Sequence, residues 1–140
     1  MAKNTGKPSE QAFERTWLKL GKSAWVWRVP DAAEVRGRTG NIGTTRPAPS
    51  DYVVVRNGAH FAEVKSTLDD TAFRFSLLRP KPSAMAAMIL SAGGDYLVYI
   101  HRILTDEWFC IPYQMIRDHS ARSLTWKELE GHKWKLATST

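Results

Sequence analysis

Apolar side chains at Phe13, Trp17 and Leu20 recur at helical spacing behind a serine. The pattern predicts an amphipathic helix over 10–21, with Ser9 as N-cap, Glu10 in the first turn and Gly21 as its stop. Glu14 falls on the flank of the apolar stripe, beside Trp17 and Leu18, so its carboxylate is aimed at the edge of the core. AWVWRV (24–29) reads as a short strand. DYVVVR and HFAEVKS flank Asn57-Gly58, a hairpin signature, and a further short strand is expected over 72–77. Pro80 and Pro82 open a helix through MAAMIL that Gly93-Gly94 closes. YLVYIH (96–101) is nearly all apolar, as in a strand covered on both faces, and Glu107–Ile111 is the last strand. Pro112 starts a short helix towards Asp118, and Ser123-Leu-Thr-Trp-Lys-Glu offers another helix start capped by Thr125 or Ser123.

Between these elements the periodicity lapses. Residues 1–8 read as a flexible basic arm with Lys3 and Lys7, and HKWKLATST as a frayed basic tail. Residues 31–50 hold three glycines, two prolines and Arg36, Arg38 and Arg46; a loop this long inside a compact domain is usually functional or disordered. No repeat and no linker divides the rest. The expectation is one domain over 9–140, α/β in class, with a mixed central sheet flanked by helices.

Composition narrows the function classes. A net charge of +6 over 140 residues favours an acidic partner such as nucleic acid. Cys110 is the single cysteine, which excludes an intrachain disulfide framework or a cysteine zinc site. The start has no apolar core of a signal peptide, and no apolar run approaches the ~18 residues of a membrane span. A cytoplasmic protein with no membrane partner and no small-molecule cofactor is expected.

The chemistry concentrates in PSDYVVVRNGAHFAEVKST. Glu63 and Lys65 lie two apart on one strand and share a face. Asp51 opens the strand before it. Hydrolysis of a DNA backbone needs an attacking water, a stabiliser for charge on phosphorus and help for the leaving oxygen. Two carboxylates suit Mg²⁺ (with Mn²⁺ as a substitute), and a lysine beside them positions the water or stabilises developing charge. A two-residue Asn57-Gly58 loop would put Asp51 and Glu63 on opposite faces. A three-residue loop, Arg56-Asn57-Gly58, with Gly58 left-handed and a bulge, pairs Val53 with Phe61 and Val55 with Ala59 and sets Asp51 opposite Glu63. The bulged loop is therefore predicted. The face of Val53, Val55 and Phe61 needs an apolar cover. The first helix, with Phe13 and Trp17, is the natural one, and it would bring Glu14 to the carboxylates as a third acid. Three clustered carboxylates are costly without a cation.

Phosphate contacts are assigned to Arg36, Arg38, Thr44, Thr45 and Arg46 in the long loop, and to Arg74, Arg79 and Lys81 near the second half of the site. Of the six tryptophans, Trp25 and Trp27 share a strand face suited to core packing or a dimer interface, and Trp126 and Trp134 are candidates for DNA contact or the dimer surface. The four histidines show no metal-ligand spacing, and His60 is placed on the face opposite the site.

SDYVVVRNGAHFAEVKST resembles the metal-binding hairpin of Holliday-junction resolvases, archaeal and RecU-type, of the PD-(D/E)xK nuclease superfamily. SEQAFERTWLKL resembles their first helix, and FRFSL, the helix ending in AGG, and YLVYIHRILTDEWFCIPYQMI follow in the family's order, so the likeness covers most of 9–117. It implies a restriction-endonuclease-like fold and a homodimeric endonuclease that cuts four-way DNA junctions by paired nicks. It implies Asp51 and Glu63 as metal ligands with the backbone carbonyl of Val64, Lys65 as catalytic lysine, and Glu14 as a further acidic member. Three departures stand out. The family's Pro-Asp pair is here Pro49-Ser50-Asp51; the helix glutamine of RecU-type proteins is missing from Pro80-Lys81-Pro82-Ser83; and the loop between the first two strands is shorter than the RecU stalk. The alternatives are another nuclease of this class acting on linear duplex, and a non-catalytic DNA-binding relative.

Overall fold

The computed structural model describes residues 6–30, 48–78 and 80–136, and of residues 80–83 the backbone alone. Helix α1 (Gly6–Leu18) leads into strand β1 (Trp25–Arg28). The hairpin β2 (Tyr52–Val55) and β3 (Ala59–Thr67) follows, then β4 (Ala72–Arg74), helix α2 (Pro80–Ser91), β5 (Tyr96–Arg102), β6 (Glu107–Pro112), helix α3 (Tyr113–Arg117) and β7 (Ser123–Thr125). A five-stranded sheet runs β1-β2-β3-β5-β6, and β4 and β7 form a small ribbon of their own. Within the five-stranded sheet β3 and β5 pair in parallel, because the chain between them crosses over through β4 and α2; its other three pairings are antiparallel. This is the single-domain α/β fold with a mixed central sheet that the pattern predicts. Among the described residues no helix is long and apolar enough to cross a membrane.

The hairpin register is the one the three-residue loop requires. Val53 faces Phe61 and Val55 faces Ala59. Asn57 (φ 52°) and Gly58 (φ 117°) both take positive φ, which asparagine tolerates and glycine adopts freely. At the end of α2, Gly93 turns left-handed (φ 89°) and Gly94 lies so close to Ile89 that a Cβ would come within 2.8 Å of its side chain.

Two cores sandwich the sheet. One face carries Tyr96, Val98, Ile100, Phe109 and Ile111 and packs under α2, α3 and the β4–β7 ribbon, with Phe73, Leu124 and Trp126. The other carries Tyr52, Val54, Ala62, Val64 and Tyr99 and packs under Phe13 and Trp17 of α1. That second arrangement corrects one expectation: α1 covers the face opposite Val53, Val55 and Phe61. YVVV is apolar on both sides, so its pattern does not choose a face. The choice is made by Tyr52 and Val54, fully buried, and by Ala62, whose small side chain lets the helix come close. Trp25 and Trp27 remain about half exposed on the uncovered side of β1.

Other boundaries also shift. Helix α1 begins at Gly6, so Ser9 lies inside it, buried, with its Oγ 2.7 Å from Nδ1 of His101. Residues 75–77 form a 3-10 turn after β4. Ser123–Thr125 is strand β7, not a helix start, because it pairs with β4. The capping box after it does form: Glu128 N–H donates to Thr125 Oγ1 and Thr125 N–H to Glu128 Oε1. It closes a single turn that ends in the 3-10 turn Glu130–His132. The segment after it is no frayed tail as far as Leu136, since Lys133 bridges to Phe109 and Trp134 packs on Tyr99 at 4.8 Å. Trp126 is a buried core side chain, and Trp134 is half-buried and packs against the core under α1.

Candidate active site

Glu63 and Lys65 stand on β3, beside Val98 and Ile100 of β5, on the face away from α1. β3 is a central strand, so its face is shielded on both sides, and Glu63 is only 3% exposed. Burial and the neighbouring Asp51 carboxylate push the Glu63 carboxyl up to about 7, against the pull of Lys65 and Tyr96.

Asp51 sits one residue before β2. Its carbonyl accepts the Val29 N–H at 2.9 Å, and its Oδ2 accepts the Val64 N–H at 2.9 Å. The first carboxylate is thus fastened to the residue between Glu63 and Lys65. Ser50, buried in the turn before it, donates its hydroxyl to the Tyr52 carbonyl at 2.6 Å.

The two oxygens of Glu63 differ. Oε1 lies 3.1 Å from the Tyr96 hydroxyl, which also donates to the Pro49 carbonyl at 2.8 Å. A hydroxyl has one proton to give, so that proton is shared, or a neutral Glu63 supplies its own. Oε2 is buried and has no hydrogen-bond partner. The Lys65 ammonium is 3.5 Å from it, close enough for attraction but beyond a well-formed hydrogen bond. A buried carboxylate oxygen left without a hydrogen bond is costly, and a divalent cation is a partner that removes the cost. The donor set, hard carboxylate oxygens with no thiolate or imidazole, fits Mg²⁺ or Mn²⁺. Asp51 and Glu63 are the residues that would hold it.

Glu14 is not gathered with them. Its Oε2 accepts the Tyr52 hydroxyl at 2.7 Å, on the helix-covered side of the sheet. Among the described residues no three His, Cys, Asp or Glu side chains form a metal-binding group, so the expected three-acid cluster is not assembled. The helix acid that feels the site is Glu10, one turn earlier. Burial first and Asp51 second raise its carboxyl, while Arg28 and Lys65 oppose them. Glu10, Glu14 and Arg28 line an open cleft of about 570 Å³ between the start of α1 and the end of β1. The spacing of four between Glu10 and Glu14 was the available signal, since it puts both on one helix face. For Arg28 and Tyr96 the signal is weaker: each is one residue in an apolar strand.

Of the assigned phosphate contacts, Arg74 is on the surface of β4, its Nε 2.7 Å from Asp69 Oδ2. Arg36, Arg38, Thr44, Thr45, Arg46 and Arg79 lie outside the described residues, as does the side chain of Lys81. His60 is on the α1 side, 2.8 Å from the Tyr99 hydroxyl and opposite Glu63, as its position in the strand requires.

A second hydrogen-bonded chain, Ser9–His101–Asp106, has the residue types of a hydrolytic triad, with links of 2.7 and 2.8 Å. Its polarity is reversed: the serine is buried and the aspartate is at the surface. A nucleophile needs an approach to its substrate, which a buried serine does not offer; these bonds tie α1 to the β5–β6 hairpin.

No family model and no curated protein matches the chain. Its fold does match a solved structure, Hjc, a Holliday junction resolvase from the archaeal hyperthermophile Archaeoglobus fulgidus. The TM-score is 0.59 at 14% sequence identity, over 91% of this chain and 93% of that one. At that identity the likeness is one of architecture, and it establishes for this chain the restriction-endonuclease-like α/β fold.

Proposed function

We propose that this protein is a metal-dependent, structure-selective DNA endonuclease that resolves four-way junctions by paired hydrolysis of phosphodiester bonds. The observation that carries the reading is the buried Oε2 of Glu63, without a hydrogen bond, beside Asp51 and Lys65. A fold shared with a junction resolvase and a net charge of +6 support it.

A bound Mg²⁺ or Mn²⁺ would supply Lewis-acid polarisation of the phosphate and a more acidic water. Asp51 and Glu63 give the negative charge that attracts the ion. Lys65, a quarter exposed beside them, would orient the attacking water and offset charge on the phosphate oxygens. In the reaction the water oxygen bonds to phosphorus, one ester P–O bond breaks, and the leaving oxygen takes up a proton. A four-way junction has approximate two-fold symmetry, so a two-fold homodimer is the simplest device for symmetric nicks. Phosphate contacts are assigned to Arg74 and to the basic residues of 31–50, 79 and 81.

A labelled four-way junction and a linear duplex of matched sequence, each incubated with the protein in Mg²⁺, test the proposal. Symmetric nicks near the branch point are expected. Equal cutting of the linear duplex would turn the reading to a general nuclease, and binding without cutting in either Mg²⁺ or Mn²⁺ would turn it to a DNA-binding relative.

A further inference from the structure

Tyr96 is the first residue of β5 and lies beside Phe61 of the parallel strand β3. It is 1% exposed. Its ring is stacked on Phe61 (centroids 6.4 Å apart, 17°) and meets the edge of Tyr113 (5.9 Å, 69°). The backbone at this point is fixed as well, since the Phe61 N–H donates to the Asp95 carbonyl at 3.0 Å. A ring held on both sides leaves its hydroxyl one place to be. That place is between the Pro49 carbonyl, at 2.8 Å, and Glu63 Oε1, at 3.1 Å.

The two acceptors belong to the two halves of the site. Pro49 is two residues ahead of Asp51, in the turn that delivers the first carboxylate. Glu63 is the second carboxylate. We propose that the Tyr96 hydroxyl is a positioning group for this site, joining the Asp51 turn to Glu63 and fixing Oε1, so that Oε2 would be the oxygen left to hold a divalent ion. The inference rests on the nuclease reading. It adds to that reading a residue that touches neither substrate nor ion and acts through the carboxylates. Outer groups that orient ligating carboxylates commonly change metal affinity or activity by about 10–100-fold when removed.

The variant that isolates the hydroxyl is Tyr96→Phe, since phenylalanine keeps the two ring contacts. Tyr113→Phe, on the ring that packs against it, is the control. Mn²⁺ alone is titrated calorimetrically into the full chain, and junction cleavage is followed over a range of Mn²⁺ and DNA concentrations. For Tyr96→Phe the expected result is a fall in Mn²⁺ affinity and in kcat of about 10–100-fold. The KM for junction should stay close to wild type, the thermal midpoint should fall by the few degrees that a lost buried hydrogen bond costs, and rate should be partly recovered at high Mn²⁺. Tyr113→Phe should behave as wild type. Wild-type Mn²⁺ affinity and kcat in Tyr96→Phe overturn the inference, as does a loss confined to the thermal midpoint, or an equal loss in both variants. Failure of the nuclease reading looks different: the wild-type chain does not cut, or Glu63→Gln still does, and the inference falls with it.

Discussion

Asp51 Oδ2 accepts the backbone N–H of Val64 at 2.9 Å, so the first carboxylate of the site is anchored to the strand that carries the second. The bond uses one oxygen of Asp51 and lies beside Glu63 without neutralising either charge. It keeps two carboxylates close, which a protein sustains at small cost when a cation joins them or one of them takes up a proton.

Lys65 brings an ammonium to this arrangement, 3.5 Å from Glu63 Oε2. Lys65→Met keeps the aliphatic stem and removes the charge. Single-turnover cleavage should slow by about 10²–10³-fold, the usual loss for one electrostatic stabiliser, with junction affinity within a few-fold of wild type. Unchanged cleavage would take Lys65 out of the chemistry.

The raised Glu63 carboxyl has a consequence for stability. Its folded value, about 7, lies above the ordinary 4.5, so the folded protein holds a proton that the unfolded chain releases. That contribution is fully present below pH 4.5 and is lost as pH rises through about 7. The metal-free thermal midpoint should therefore fall across that window. Glu63→Gln should flatten the fall, and added Mn²⁺ should restore the midpoint at pH 8 in wild type only. A midpoint with the same pH profile in both proteins contradicts the assignment.

Ser9 and His101 join α1 to the β5–β6 hairpin. Ser9→Ala removes a buried hydrogen bond and should cost about 1 kcal/mol in denaturant unfolding, with cleavage rate unaffected. A selective loss of activity at wild-type stability would assign this chain a role in the reaction after all.

Phe13 centres the aromatic cluster under α1, with ring contacts to Trp17, Tyr52, Tyr99 and Trp134 at 4.8–5.8 Å. Phe13→Ala should cost about 3–5 kcal/mol, a large share of a small domain's stability. Equilibrium unfolding of wild type and variant measures it; a cost below 1 kcal/mol would mean that α1 is not held by this core.

The sequence makes the hairpin legible because one count decides it: residues pairing across Arg56-Asn57-Gly58 put Val53 opposite Phe61, and the loop's glycine and asparagine permit it. The burial of β5 is equally readable from YLVYIH. The side taken by α1 is not, since Tyr52-Val53-Val54-Val55 offers two apolar faces and the packing of Phe13 and Trp17 with Tyr52, Val54 and Ala62 selects between them. The same ambiguity hides which helix acid faces the site: Glu14 meets the Tyr52 hydroxyl, and Glu10 feels Asp51. Ser9 looked like a cap because its partner, His101, is distant in sequence. Tyr96 was hidden likewise: nothing local distinguishes a tyrosine whose hydroxyl reaches Pro49 and Glu63 from one that fills a core.

On the proposed function, Asp51 and Glu63 would together hold the ion that DNA cleavage requires. Nicking of a labelled four-way junction in Mg²⁺, under single-turnover conditions, by wild type, Asp51→Asn and Glu63→Gln tests it most directly. Wild type should nick symmetrically near the branch point, and both variants should bind the junction yet leave it intact. Cutting at the wild-type rate by either variant would contradict the account.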